Sequence, residues 1–317
     1  MERDIRLNND AEARTLLGKH DENIKLIEKS FHISSVLRAG ILRLTGASDV
    51  VEKAARVIEE LLITIREGGY IKTRDLNYAI KSIKEDKKFR LHDIYLDRIE
   101  VSSKRLYITP KSKGQKAYID AIRKYDIVFC IGPAGTGKTY LATAMAVNAL
   151  KKKIVSRIIL ARPAVEAGES LGYLPGDLRD KVAPYLRPVY DALYDMIESD
   201  MIRDYTQRGI IEVVPLAYMR GRTLNDSFVI LDEAQNSQPT QMKMFLTRLG
   251  FDSKTVITGD ITQSDLPKSK ISGLVEAQSI LGGIEGIKFV YLKGEDVVRH
   301  ELVQEIIKAY AASKKSE

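Results

Sequence analysis

Tryptophan is absent from this 317-residue chain, cysteine occurs once and histidine four times. A lone Cys130 cannot form an internal disulfide, which excludes the disulfide-stapled secreted scaffolds. Its place inside the apolar string DIVFCI marks it as a core residue and not a reactive thiol. With so few Cys and His, scattered along the chain, there is no zinc-like ligand set. No stretch reaches the roughly 18 consecutive apolar residues that a membrane span requires, and the charged opening MERDIRLNND is unlike a secretory signal. A cytoplasmic location is therefore expected. Internal repeats and low-complexity tracts are lacking too, apart from a short polar tail from Ser313.

Hydrophobic residues make up 44% of the chain, enough for a sizeable core, and the length suits two domains. The formal charge of +7 is modest but unevenly placed. Between Lys81 and Lys116 stand eleven Lys or Arg against five Asp or Glu, with Tyr95 and Tyr107 among them. A basic stripe beside aromatics can hold phosphates while bases stack. It can equally be a solvated linker, basic for solubility.

The first eighty residues read as a small α+β unit. Strands are expected at Asp4 to Leu7, Ile33 to Leu37 and Ile41 to Thr45, the last two joined at Ala39-Gly40. Helices are expected from Asp21 to Phe31 and from a Ser48 cap to Gly68-Gly69. Helix, strand, strand, helix resembles a KH-type RNA-binding unit, whose backbone clamp is a GXXG loop. Here Gly18-Lys19-His20-Asp21 carries an acid in place of the second glycine. A domain that only packs against a neighbour or a partner protein is the alternative reading.

After residue 106 strands and helices alternate, with strands expected at Asp126 to Ile131, Arg157 to Ala161, Ile210 to Val214, Ser227 to Leu231, Lys254 to Thr258 and Ile287 to Leu292. Such alternation implies a parallel sheet covered on both faces, with ligands at the carboxyl ends of its strands. The first of these strands runs into Gly132-Pro133-Ala134-Gly135-Thr136-Gly137-Lys138-Thr139, which fits the pattern G-x-x-x-x-G-K-[ST] at every fixed position. Glycines let backbone N–H groups approach a polyphosphate, and the following helix adds its dipole. Lys138 is then assigned to the β and γ phosphates and Thr139 to Mg²⁺.

Two further strand ends carry acids. FVILDEAQ places Asp232 and Glu233 at the tip of an apolar strand, Asp232 as a Mg²⁺ carboxylate and Glu233 as the group that polarises an attacking water. A base beside the γ-phosphate favours hydrolysis over transfer to another acceptor. TGDITQ ends the next strand in a glycine turn, with Gln263 suited to sense the γ-phosphate and Asp260 to coordinate its neighbours.

The strings GPAGTGKT, VILDEAQN and TGDITQSDLP resemble the PhoH-like ATPase family, as do ARPAVEAGESLGYLPGDLRDKVAPYLRPVYDAL and DVVRHELVQEIIKAY, over about residues 107–312. The first eighty residues resemble the KH-like extension of its longer members. The resemblance implies an α/β P-loop NTPase with a core like that of superfamily 1 helicases and a small N-terminal α+β KH-like domain. The domain plan it suggests is 1–80 KH-like, 81–106 basic connector, 107–312 ATPase and 313–317 flexible tail. It further implies ATP and Mg²⁺ as cofactors, with Gln115 on adenine and Arg299 as an arginine finger within a hexameric ring. Arg162 and Glu166, on a loop reaching Asp177, are its implied nucleic-acid contacts, and Arg220 and Arg222 a second coupling pair. The function implied is hydrolysis coupled to RNA, as a helicase or remodeller partnered by a YbeY-type endoribonuclease. The competing reading is an ATP-switched scaffold for a ribonuclease or ribosomal partner, without unwinding.

Overall fold

The computed structural model describes residues 1–66, 73–85, 97–101, 107–163, 178–267, 269–298, 302, 303 and 306. The chain forms two compact units, Met1–Asp97 and Arg98–Glu317. In the first, β1 (Glu2–Arg6), α1 (Asp10–Leu17), α2 (Glu22–Phe31), β2 (Ser34–Arg38), β3 (Ile41–Thr45), α3 (Ser48–Arg66) and α4 (Thr73–Glu85) follow one another. The strands form an antiparallel sheet in the order β1-β3-β2. Ala39 and Gly40 both take positive φ, 52° and 75°, as a two-residue hairpin turn with the right twist demands. The helices cover one face of the sheet, and Leu16, Ile27, Phe31, Leu42, Leu44 and Ile58 are buried between the layers.

Three features of this unit depart from the sequence expectation. Helix α1 was not expected; its signal is the short capping pattern in which the Asn9 side chain accepts from Glu12 N–H at 2.8 Å. Ser48 does not cap α3 but is its first residue, with Ala47 O accepting from Val51 N–H at 3.0 Å and Ser48 Oγ turned to Met1 Sδ. Helix α4 continues to Glu85 and the chain passes from the first unit to the second after Asp97, both inside the segment expected as a connector. Tyr95 of that segment lies outside the described residues.

The second unit opens with the short ribbon β4 (Ile99–Glu100) and β5 (Tyr107–Ile108) and helix α5 (Lys113–Lys124). Strand β6 (Ile127–Ile131), α6 (Lys138–Lys151), β7 (Arg157–Arg162), α7 (Leu178–Met196), α8 (Ser199–Gln207) and β8 (Ile211–Pro215) come next. The unit continues through β9 (Ser227–Leu231), α9 (Pro239–Leu246), β10 (Lys254–Gly259), α10 (Gly273–Leu281) and β11 (Ile287–Tyr291). Six strands pair in the order β11-β6-β10-β9-β7-β8, all parallel. Every expected strand is present, within a residue or so at each end.

Period-two alternation divides each central strand between the two faces. Val128 and Cys130 of β6 join Phe228 and Ile230 of β9 in the layer under α5, α6, α7 and α8. Phe129 and Ile131 join Val229 and Leu231 on the opposite face, under α9 and α10. Helix α6 is buried continuously from Leu141 to Ala149, which its Ala- and Leu-rich sequence permits. With both faces covered, the carboxyl ends of β6, β10, β9 and β7 are left as the open edge.

Candidate nucleotide site

Residues 132–137 leave β6 and turn into α6 at that edge. Gly135 and Gly137 take φ of 83° and 81°, the left-handed region in which a side chain is strained. Gly132 is constrained differently: a Cβ there would stand 2.6 Å from the backbone oxygen of Leu292 at the end of β11. Gly132 N–H donates to Gly259 O at 3.1 Å, and Val298 N–H to Gly135 O at 2.9 Å, so the end of β10 and the stretch that follows β11 hold the loop. Lys138 opens α6, its Nζ donating to the carbonyls of Gly132 at 2.7 Å and Pro133 at 2.9 Å.

Asp232 follows β9, two strands from β6, and is buried. Its Oδ1 accepts from Thr139 Oγ1 at 2.6 Å and from Thr258 Oγ1 at 2.6 Å. Sequence reading paired Asp232 with Thr139 but missed Thr258, whose only signal is a hydroxyl residue at the tip of the intervening strand. Among the described residues no group of three or more His, Cys, Asp or Glu side chains is placed to hold a metal. A hard divalent cation held by one hydroxyl and one carboxylate, with phosphate oxygens completing its shell, fits this donor set.

Glu233 stands next to Asp232 with φ of 53°, a conformation disfavoured by about 1 kcal/mol or more in a side-chain-bearing residue. Strain of this kind collects at functional sites. Gln235 Nε2 donates to Glu233 Oε2 and, at 3.2 Å, to the backbone oxygen of Gln263. Gln235 Oε1 accepts from Asp260 N–H at 3.0 Å. This buried carboxamide thus ties the ends of β9 and β10 together. It was missed in the sequence, where DEAQ drew attention only to its acids.

Asp260 Oδ1 accepts from Thr262 N–H and Thr262 Oγ1, while its Oδ2 is buried with no hydrogen-bond partner. Such an oxygen is costly unless something in the cavity satisfies it. Arg162, at the end of β7, lies 3.4 Å from Glu233 Oε1. These groups surround one cavity of about 460 Å³, lined by Gly135, Gly137, Lys138, Thr139, Asp232, Glu233, Asp260 and Gln263. Tyr140, Arg162, Asp191 and Asp195 complete much of its wall.

Gln115 is placed differently from the other expected site residues. It is buried beneath the glycine loop, its Nε2 donating to Thr136 O at 3.0 Å and its Oε1 accepting from Lys111 N–H at 2.6 Å. It is absent from the cavity lining and supports the loop from behind. Arg222 makes two hydrogen bonds to Glu212, at 2.8 and 2.6 Å, which raises its already high pKa. Arg299, Glu166 and Asp177 lie outside the described residues.

Strand, glycine turn and helix at the open edge of a parallel sheet, with a carboxylate from a second strand on the helix's first threonine, define a P-loop NTPase fold. The family model described as PhoH-like protein matches residues 107–311. The PhoH-like protein of Bacillus subtilis (strain 168) is 52% identical over 305 residues, covering 96% of each chain. That of Mycobacterium tuberculosis (strain ATCC 25618 / H37Rv) is 50% identical over 297 residues, 93% of this chain and 84% of the other. The chain belongs to the PhoH-like protein family. Protein PhoH of Escherichia coli (strain K12) is 45% identical over 207 residues, 64% of this chain and 58% of its own length.

Proposed function

We propose that this chain is a Mg²⁺-dependent ATPase whose turnover is coupled to single-stranded RNA. The observation that carries the hydrolytic part is the convergence of Lys138, Thr139, Asp232, Glu233 and Gln263 on one cavity from separate stretches of the chain. In that arrangement loop N–H groups and Lys138 hold the β and γ phosphates, and Thr139 and Asp232 hold the cation. Bound Mg²⁺ supplies charge neutralisation at the γ-phosphoryl group. Glu233 accepts a proton from the attacking water as its oxygen bonds to the γ-phosphorus and the bond to the bridging β–γ oxygen breaks. Gln263 orients the water or the terminal phosphate.

The RNA part draws support from the first unit. Its Gly18–Asp21 turn joins α1 to α2, as a backbone-clamping turn in a KH-like domain requires, and Asp21 takes φ of 62°. Aspartate tolerates this left-handed region better than most side chains, so the turn keeps a glycine-like backbone where the second glycine is missing. Lys19, His20 and Lys25 are exposed at this turn beside the exposed Asp21 and Glu22, and Lys25 Nζ donates to His20 O at 2.9 Å.

The test is steady-state phosphate release with and without Mg²⁺ and single-stranded RNA. Glu233→Gln should keep ATP affinity and lose about a hundredfold or more in turnover, the usual weight of a general base. Normal turnover in that variant removes Glu233 from its role. A phosphorylated acceptor in place of free phosphate would show a kinase instead, and turnover indifferent to RNA would favour an ATP-switched scaffold.

A further inference from the structure

For a phosphate site the cavity is rich in acids. Its described lining carries five carboxylates, those of Asp191, Asp195, Asp232, Glu233 and Asp260, and two side-chain cations, Lys138 and Arg162. Lys138 has its place in the phosphate loop. Arg162 reaches the cavity from β7, and its Nη2 stands 3.4 Å from Glu233 Oε1, well beyond the roughly 2.7–2.9 Å of a tight charge-assisted hydrogen bond.

The two groups that hold Glu233 differ in kind. Gln235, on Oε2, is 2% exposed and anchored by further bonds to Asp260 N–H and Gln263 O. Arg162, on Oε1, keeps 20% of its side chain exposed and forms part of the cavity wall. A strong acceptor entering the cavity can therefore compete for Arg162 far more readily than for Gln235.

We propose that Arg162 senses the γ-phosphate: the terminal phosphate of a bound nucleoside triphosphate takes the guanidinium from Glu233 and leaves Oε1 free to receive the proton of the attacking water. This inference rests on the triphosphatase reading above. The chemistry favours the exchange, because a terminal phosphate brings more negative charge and more acceptor oxygens than one carboxylate, and a planar guanidinium engages it through two parallel bonds. A diphosphate lacks the group that draws Arg162 away, so the pair with Glu233 persists. Arg162 then does two things at once. It discriminates triphosphate from diphosphate, and it withholds the base until the phosphoryl group to be cleaved is in place.

Calorimetric titration with Mg²⁺-ADP and with the Mg²⁺ complex of a β,γ-imido triphosphate analogue reads the first property without any turnover. Arg162→Gln should weaken the triphosphate analogue about tenfold or more, the usual weight of a charge-assisted hydrogen bond, and leave ADP affinity unchanged. Glu233→Gln should hold the analogue as tightly as the unaltered chain or more so, since the pair between Arg162 and Glu233 no longer has to part. In the double variant the Arg162→Gln loss should persist. Arg162→Lys, which keeps the charge without the fork, guards against a folding defect and should fall between. Equal loss of both nucleotides in Arg162→Gln, or no loss of either, overturns the proposal. If the unaltered chain binds neither nucleotide, the triphosphatase reading fails first, a result distinct from lost discrimination.

Discussion

At the scale of single residues, Cys130 shows how burial sets chemistry. Its thiol is fully enclosed in β6, and desolvation of the charged form pushes its pKa well up. A thiol that holds its proton more tightly when folded contributes stability that is complete below the ordinary thiol pKa and is lost as pH rises above it. Labelling by a thiol reagent should therefore follow global unfolding and stay negligible in the native chain at neutral pH; rapid labelling there would contradict the burial. Gly132 offers a sharper case. Gly132→Ala drives a methyl group into the Leu292 carbonyl, and since that atom is backbone, the loop or β11 must move. We expect a stability loss of about 1–3 kcal/mol in urea titration, together with weakened nucleotide affinity. The glycine pattern made this position conspicuous in the sequence; the reason, contact with a strand that begins 155 residues later, was not visible there.

At the scale of elements, helix α5 illustrates a cap that serves two ends of the chain. Ser112 Oγ accepts from Gln115 N–H at 3.1 Å, closing the first turn, and donates to Asp296 Oδ1. Asp296 also accepts from Lys293 N–H at 2.7 Å and is buried. Ser112→Ala removes both bonds and leaves a buried carboxylate short of a donor, at a cost of about 1–3 kcal/mol. Because Gln115 then carries the strain to Thr136 O, nucleotide affinity should fall as well. Unchanged affinity and an unchanged urea midpoint would show that the cap is dispensable. The six strands of the parallel sheet were legible because each is a short apolar run between turn signals, whereas the two-residue strands β4 and β5 were too short to show. Helix α1 was not, since eight residues, half of them polar, span too few turns to show a period, and it persists by its cap and by packing Leu16 into the core.

At the scale of the whole molecule, separate cores predict separable units. The hydrophobic cluster of the first unit and the two layers of the second share no residues. A fragment of residues 98–317 should unfold cooperatively and bind nucleotide as the full chain does; under the proposed RNA role of the first unit, it should lose affinity for single-stranded RNA in fluorescence anisotropy. Under the proposed coupling to RNA, affinity of the full chain for single-stranded RNA should fall steeply with salt, as phosphate contacts require. Equal RNA binding by the fragment would move the nucleic-acid surface into the second unit.

What the sequence determined by itself was everything contiguous: the glycine loop, the apolar strands, the acids at their tips and the membership that those strings announce. Hydrogen bonding and φ preference act over a few residues, so their signals lie side by side in the chain. Only the tertiary structure set Thr139 and Thr258 on the same oxygen of Asp232, put Gln115 behind the loop and brought Arg162 to Glu233. Those contacts join residues on different elements, and they exist because the strand order β6-β10-β9-β7 lines up four distant strand ends along one edge. Strand order follows from how both faces of the sheet are buried together, which no local stretch of residues encodes.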